Sequence, residues 1–190
     1  GNTLDYLIEM EHLDFKRAIE YLLNEKPTIT TAKPLQDKQI IIPQRNINDK
    51  RVIAYLVKTR MLSQNVIIPL IMQRRIYESI ESHNCVFTGI DEHNNIKYVM
   101  QRSSLPNCNL KFDSMGSDKK YSFSVKGQTD IVCVFESPID LLSYRTIYQG
   151  TSRIQSHMLS LGGVSSIALD AYIERNPQIK NIVFCLDNDT

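Results

Sequence analysis

Apolar residues recur at helical spacing over the first two dozen positions: Leu4, Leu7 and Ile8, then Phe15, Ala18, Ile19, Leu22 and Leu23. His12-Leu13-Asp14 interrupts the pattern, which predicts two short helices within residues 1–24, the second capped by Asp14. Residues 25–39 hold two prolines and three threonines but few large apolar side chains, and read as a linker. A compact unit begins at Ile40. Asn48 or Asp49 is placed to cap a helix reaching Arg60, and Ser63 a second one to about Arg75, with Pro69 kinking it or delaying its start. The period then falls to two. Residues 85–90 and 96–102 predict a hairpin around the turn Asp91-Glu92-His93-Asn94-Asn95. Residues 110–115 and 120–125 predict two more short strands, joined by the turn Gly116-Ser117-Asp118-Lys119.

The last third changes character. Ile131-Val132-Cys133-Val134-Phe135 is an unbroken apolar run, the pattern of a strand buried on both faces. A helix is predicted from Pro138 to about Gln149, a short strand at 158–161, and a helix from Ser165 or Ser166 to about Arg175. A third buried strand is predicted at 182–186. This βαβαβ order implies a parallel sheet with right-handed crossovers. The chain is therefore of the α/β class, with an α+β unit over 40–127 followed by a parallel unit over 128–190.

Composition narrows the function. Of 190 residues, 42% are hydrophobic, and 22 basic residues balance 21 acidic ones. A net charge of +1 excludes binding of nucleic acid through bulk positive charge, so any phosphate affinity must be local or carried by a metal. The longest apolar run, 66–72, is too short to cross a bilayer and contains Pro69. Asp5, Glu9 and Glu11 stand where a signal peptide needs a basic and then an apolar stretch, so the expectation is a cytoplasmic protein without membrane partners. Cys85, Cys108, Cys133 and Cys185 show no CxxC spacing, and the four histidines show no metal-binding spacing. Cys133 and Cys185 lie in apolar strand patterns and are expected to be buried structural thiols.

Candidate chemistry gathers at the strand ends. The first strand of the parallel unit ends in Glu136 and the third in Asp187-Asn188-Asp189. Ligands of open parallel sheets bind beyond the carboxyl ends of the strands, so these acids are expected in one crevice. Asp187 and Asp189 point the same way in extended chain. Asp140 lies in the first turn of the following helix, at the same opening. Such a group of carboxylates repels itself unless a divalent cation with oxygen ligands, Mg²⁺ or Mn²⁺, compensates it.

Apolar strand–Glu, helix, strand–Gly162-Gly163, helix, apolar strand–DxD resembles the Toprim domain of bacterial primases, topoisomerases and related nucleases. The resemblance rests on Phe135-Glu136-Ser137-Pro138-Ile139-Asp140 and on Leu186-Asp187-Asn188-Asp189-Thr190. It implies a partial Rossmann-like sheet with flanking helices, Glu136 as general acid/base or metal ligand, and Asp187 and Asp189 as Mg²⁺ ligands. The upstream unit, with Val86-Phe87-Thr88-Gly89, Gln101-Arg102 and Gly116-Ser117-Asp118-Lys119, is similar to the uncharacterised domain preceding Toprim in primase-like proteins of mobile elements. Residues 2–23 are similar to the helical tail of a primase-type zinc ribbon.

The function implied is Mg²⁺-dependent nucleotidyl transfer or phosphodiester chemistry on DNA or RNA, by a primase-like protein of DNA replication or mobile-element transfer. Nucleotides, and replication or conjugation proteins, are the partners that go with it. Arg102, Lys119 and Lys120 are the candidates for phosphate contacts. Tyr121 and Phe123 alternate with serines, as one face of a strand or as a platform for stacked bases. A binding module without catalysis is the competing class. Phosphatases of the haloacid-dehalogenase type also use a strand-end DxD, but early in the sheet and with Thr two residues after the second Asp; here Thr190 follows at once.

Overall fold

The computed structural model describes residues 39–163 and 165–187. The two N-terminal helices, the linker before Gln39 and Asp189 lie outside the described residues. Helix α1, Lys50–Ala54, passes directly into one π-helical turn, Tyr55–Thr59, closed by the Arg60 amide donating to the Tyr55 carbonyl at 3.0 Å. Asp49 holds the N-cap position but does not cap with its side chain. Its carboxylate accepts the Glu78 amide at 2.8 Å and pairs with Arg45, tying the helix start to the first strand.

Helix α2, Gln64–Met72, runs through Pro69 and stops short of the expected Arg75. Arg74 adopts a left-handed conformation (φ 58°) and turns the chain into strand β1, Ile76–Glu78. Three residues are too few for β1 to show a period in the sequence. Strands β2, Cys85–Ile90, and β3, Ile96–Arg102, form the expected hairpin. Its turn is held by Asp91, which accepts from the His93 and Asn95 amides. Strand β4, Lys111–Asp113, completes an antiparallel sheet of order β1-β2-β3-β4.

Residues 120–125 depart from expectation. Lys119–Tyr121 forms a 3-10 turn, and strand β5, Ser124–Val125, leaves the first sheet and pairs antiparallel with the second. Phe123 is fully buried against Phe87 and offers no stacking platform. The second sheet holds β6, Ile131–Phe135, β7, His157–Ser160, and β8, Asn181–Phe184, in the order β5-β7-β6-β8. Helices α3, Pro138–Ile147, and α4, Ile167–Arg175, connect its parallel strands. The α/β class and the parallel unit are as expected. The third strand is not buried: β8 is the edge among the described residues, and Ile182, Val183 and Phe184 are exposed. Cys133 is buried, whereas Cys185, one residue past β8, is only partly covered.

Alternation along β6 joins the two sheets. Cys133 and Phe135 enter a core shared with Phe87, Met100 and Phe123, while Val132 and Val134 face Leu169 and Tyr172 of α4. Arg75 spans the seam. Its Nε donates to the Thr88 carbonyl of β2 (3.0 Å) and its terminal nitrogen to the Ser124 carbonyl of β5 (2.9 Å). Burial lowers its pKa to about 10, which leaves it charged at neutral pH. No described helix is long and apolar enough to cross a membrane.

Two stability predictions follow from this packing. Arg75→Met leaves both carbonyls without their donor and should lower unfolding free energy by about 2–4 kcal/mol in urea titrations. His157 is buried, its Nδ1 is 2.9 Å from the Tyr172 hydroxyl, and burial, aided by Lys126, lowers its pKa below the ordinary 6.5. The unfolded chain then binds the proton first, so this contribution is present above about pH 6.5 and is lost as pH falls through the folded pKa. The corresponding slope in urea midpoints between about pH 7.5 and about pH 5 should shrink in His157→Gln.

Candidate active site

A crevice of about 400 Å³ opens beyond the carboxyl ends of β6 and β8. Glu136, the residue after β6, is half-buried, and Asp187, just past β8, is exposed; both line the crevice, together with Asp140 of α3. These three acids lie 51 residues apart at most, and the parallel pairing of β6 with β8 brings them together. None of the three forms a salt bridge among the described residues.

The acids differ in commitment. Asp140 completes a capping box on α3: its Oδ2 accepts the Ser137 hydroxyl at 2.6 Å and the Ser137 amide at 3.1 Å. Among the described residues the Glu136 side chain has no such bond. Its carbonyl accepts the Gly162 amide at 3.1 Å, which fixes the loop after β7 against the end of β6. Gly162 has φ +64°, and a Cβ there would come 2.5 Å from the Tyr98 hydroxyl, so the loop needs glycine at this point.

The opposite wall comes from the first sheet and its helix. Arg102 ends β3 and stands directly across from Lys111 of β4, and both line the crevice. Arg60, at the close of the π-helical turn, lines it too. Of the three cations expected to meet phosphate, only Arg102 is on this wall with no acidic partner among the described residues. The Lys119 ammonium lies at its margin and is engaged, donating to the Gly162 carbonyl at 3.1 Å and pairing with Asp113 at 3.4 Å. Asp113 in turn accepts the Tyr98 hydroxyl at 2.6 Å, and burial together with that carboxylate raises the phenol's pKa. Lys120 lies elsewhere, on a surface shared with Glu92 and Arg175. Arg60 and Lys111 carried no motif in the sequence, and the register that sets Lys111 opposite Arg102 is defined only by the fold.

Carboxylates are hard oxygen donors and suit Mg²⁺ or Mn²⁺ in kind. Among the described residues no three His, Cys, Asp or Glu side chains converge closely enough to hold a metal, and the second aspartate of the DxD, Asp189, lies outside them.

Solved structures with detectable likeness include the primase fragment of the bacteriophage T7 primase-helicase, 17% identical with a TM-score of 0.48, covering 70% of this chain and 53% of that one. A DnaG primase catalytic domain bound to ssDNA is 14% identical, TM-score 0.48, covering 73% and 54%. A DNA primase domain from Pseudomonas aeruginosa is 15% identical, TM-score 0.38, covering 97% and 58%. The chain thus spans little more than half the length of these structures. No curated protein matches the sequence. Residues 54–129 match the family described as protein of unknown function (DUF3991), and residues 133–190 match the family described as Toprim-like. The antiparallel sheet and the acidic strand ends thus belong to a chain that carries a DUF3991 domain followed by a Toprim-like domain.

Proposed function

We propose that this chain serves a primase-like protein of DNA replication or mobile-element transfer, in divalent-metal-dependent nucleotidyl transfer or phosphodiester chemistry on nucleic acid. The observation that carries the reading is the crevice itself, where Toprim-like strand-end acids share the lining with cations that have no salt bridge among the described residues. Glu136 and Asp187, with Asp189, would hold Mg²⁺ or Mn²⁺. A metal there would neutralise phosphate charge and polarise the reacting phosphoryl group. Glu136, whose carboxylate has no hydrogen bond among the described residues, is the group to move a proton or complete the metal site. Arg102 would orient the phosphate from across the crevice. The capping role of Asp140, which turns one of the crevice acids back onto its own helix, favours the second reading, a nucleic-acid-binding module without catalysis.

Calorimetric titration of Mg²⁺ and Mn²⁺ separates the two. The expected result is binding by the wild-type chain that disappears in Glu136→Gln and in Asp187→Asn/Asp189→Asn, followed by metal-dependent primer extension or nicking on single-stranded templates. No metal binding, with DNA retained in EDTA and in Glu136→Gln, would overturn the enzyme reading and leave the binding module. Ser137→Ala tests Asp140 separately. It removes the cap but keeps the carboxylate, so it should cost about 1 kcal/mol in urea unfolding and leave metal affinity unchanged.

A further inference from the structure

Tyr55 is the residue on which the cationic wall turns. It is 6% exposed and does not line the crevice. Its hydroxyl oxygen accepts Nε of Arg60 at 2.9 Å and Nε of Arg102 at 2.9 Å. The two arginines come from elements 42 residues apart in sequence, the π-helical turn and β3, yet they share one acceptor. Each guanidinium is thereby fixed at its Nε edge, while neither has a carboxylate partner among the described residues.

Lys111 adds a third charge. It stands opposite Arg102 across the β3–β4 ladder, where like charges destabilise a sheet. Three cations held together, without salt-bridge partners among the described residues, are stabilised by an anion that spans them. Paired guanidiniums fixed at one edge suit the oxygens of phosphate, which they bind in a fork. The π-helical turn places Arg60 for this: the extra residue lets its amide close on the Tyr55 carbonyl, on the same residue whose hydroxyl holds its side chain.

We infer that Arg60, Arg102 and Lys111 form a phosphate-binding clamp and that Tyr55 is its positioning residue. The inference rests on the reading of the crevice as a site for phosphate chemistry, and adds that the anion is held without metal. The ligand is a phosphate oxyanion, of a nucleotide's polyphosphate or of a strand's backbone.

Binding of tripolyphosphate to the whole chain, in EDTA at low salt, tests the clamp apart from the metal site. Arg60→Gln and Arg102→Gln should each weaken it by roughly tenfold, and Lys180→Gln, at an exposed lysine away from the crevice, should not. Tyr55→Phe should also lose roughly tenfold with its thermal midpoint little changed. In a background carrying both arginine substitutions, Tyr55→Phe should have no further effect, because its role is spent through them. Competition by ATP assigns the clamp to a nucleotide, and competition only by an oligothymidylate assigns it to a strand. Wild-type affinity in both arginine variants, or no binding of any of these anions, overturns the clamp. Additive losses from Tyr55→Phe and the arginines overturn the positioning role. Metal titration reads the carboxylate wall independently, so failure of the clamp and failure of the proposed chemistry are told apart.

Discussion

Everything in the described structure depends on how the antiparallel sheet is locked to the parallel one, and the lock is the segment from Asp118 to Val125. Its first residue donates to the Lys97 carbonyl of β3, and its last two pair with β7. Between them Phe123 sits edge-on to Phe87, ring centroids 5.6 Å apart, while its carbonyl accepts the Ser160 amide. Arg75 closes the seam by donating to both sheets with one guanidinium. At Gly89 the Tyr121 carbonyl lies where any Cβ would sit, so the segment presses onto bare backbone of β2. Without this seam the cations of the first sheet and the acids of the second would belong to separate surfaces.

The seam explains why a chain of nearly neutral charge can still present an electrostatically divided crevice. The dividing is local. Lys119 and Asp113 neutralise each other at the margin, with Tyr98 and Gly162 bracing the pair. Inside, Glu136 and Asp187 on one wall and Arg60, Arg102 and Lys111 on the other remain without salt bridges among the described residues. Net charge reports the balance of the whole chain, and chemistry depends on where the balance is withheld.

What the sequence made legible follows from the range of the interactions involved. Strands β2, β3 and β6 lie where the pattern puts them, since alternation and apolar runs are local signals, and the β2–β3 turn is written in Asp91 and its neighbours. The Pro138 start of α3 and the grouping of Glu136, Asp140 and Asp187 were also readable, because parallel strands must end at the same edge. The transfer of β5 to the second sheet was not, since two residues carry no period and their partner is β7, more than thirty residues on. Nor was the exposure of β8, whose apolar run has the pattern of a buried strand although β8 is the edge of the sheet among the described residues. Tyr55 gave no signal at all: it reads as one more apolar position on a helix face, and its two arginine partners are defined only by the fold.

The same tyrosine bears on why the crevice stays open. An exposed ion pair is worth only about 0–1 kcal/mol once side-chain ordering and screening are counted. Pairing of Arg60 or Arg102 with Glu136 or Asp187 would quench both walls, and among the described residues neither arginine forms such a pair. Hydrogen bonds that tie each Nε to a buried phenol compete with such pairing, at about 0.5–1.5 kcal/mol apiece. Asp140 is withheld by a parallel device, its Oδ2 turned back onto Ser137 at the start of α3. Arg60 and Arg102 on one wall and Asp140 on the other are thus anchored behind the surface, so among the described residues charge is not spent across the gap.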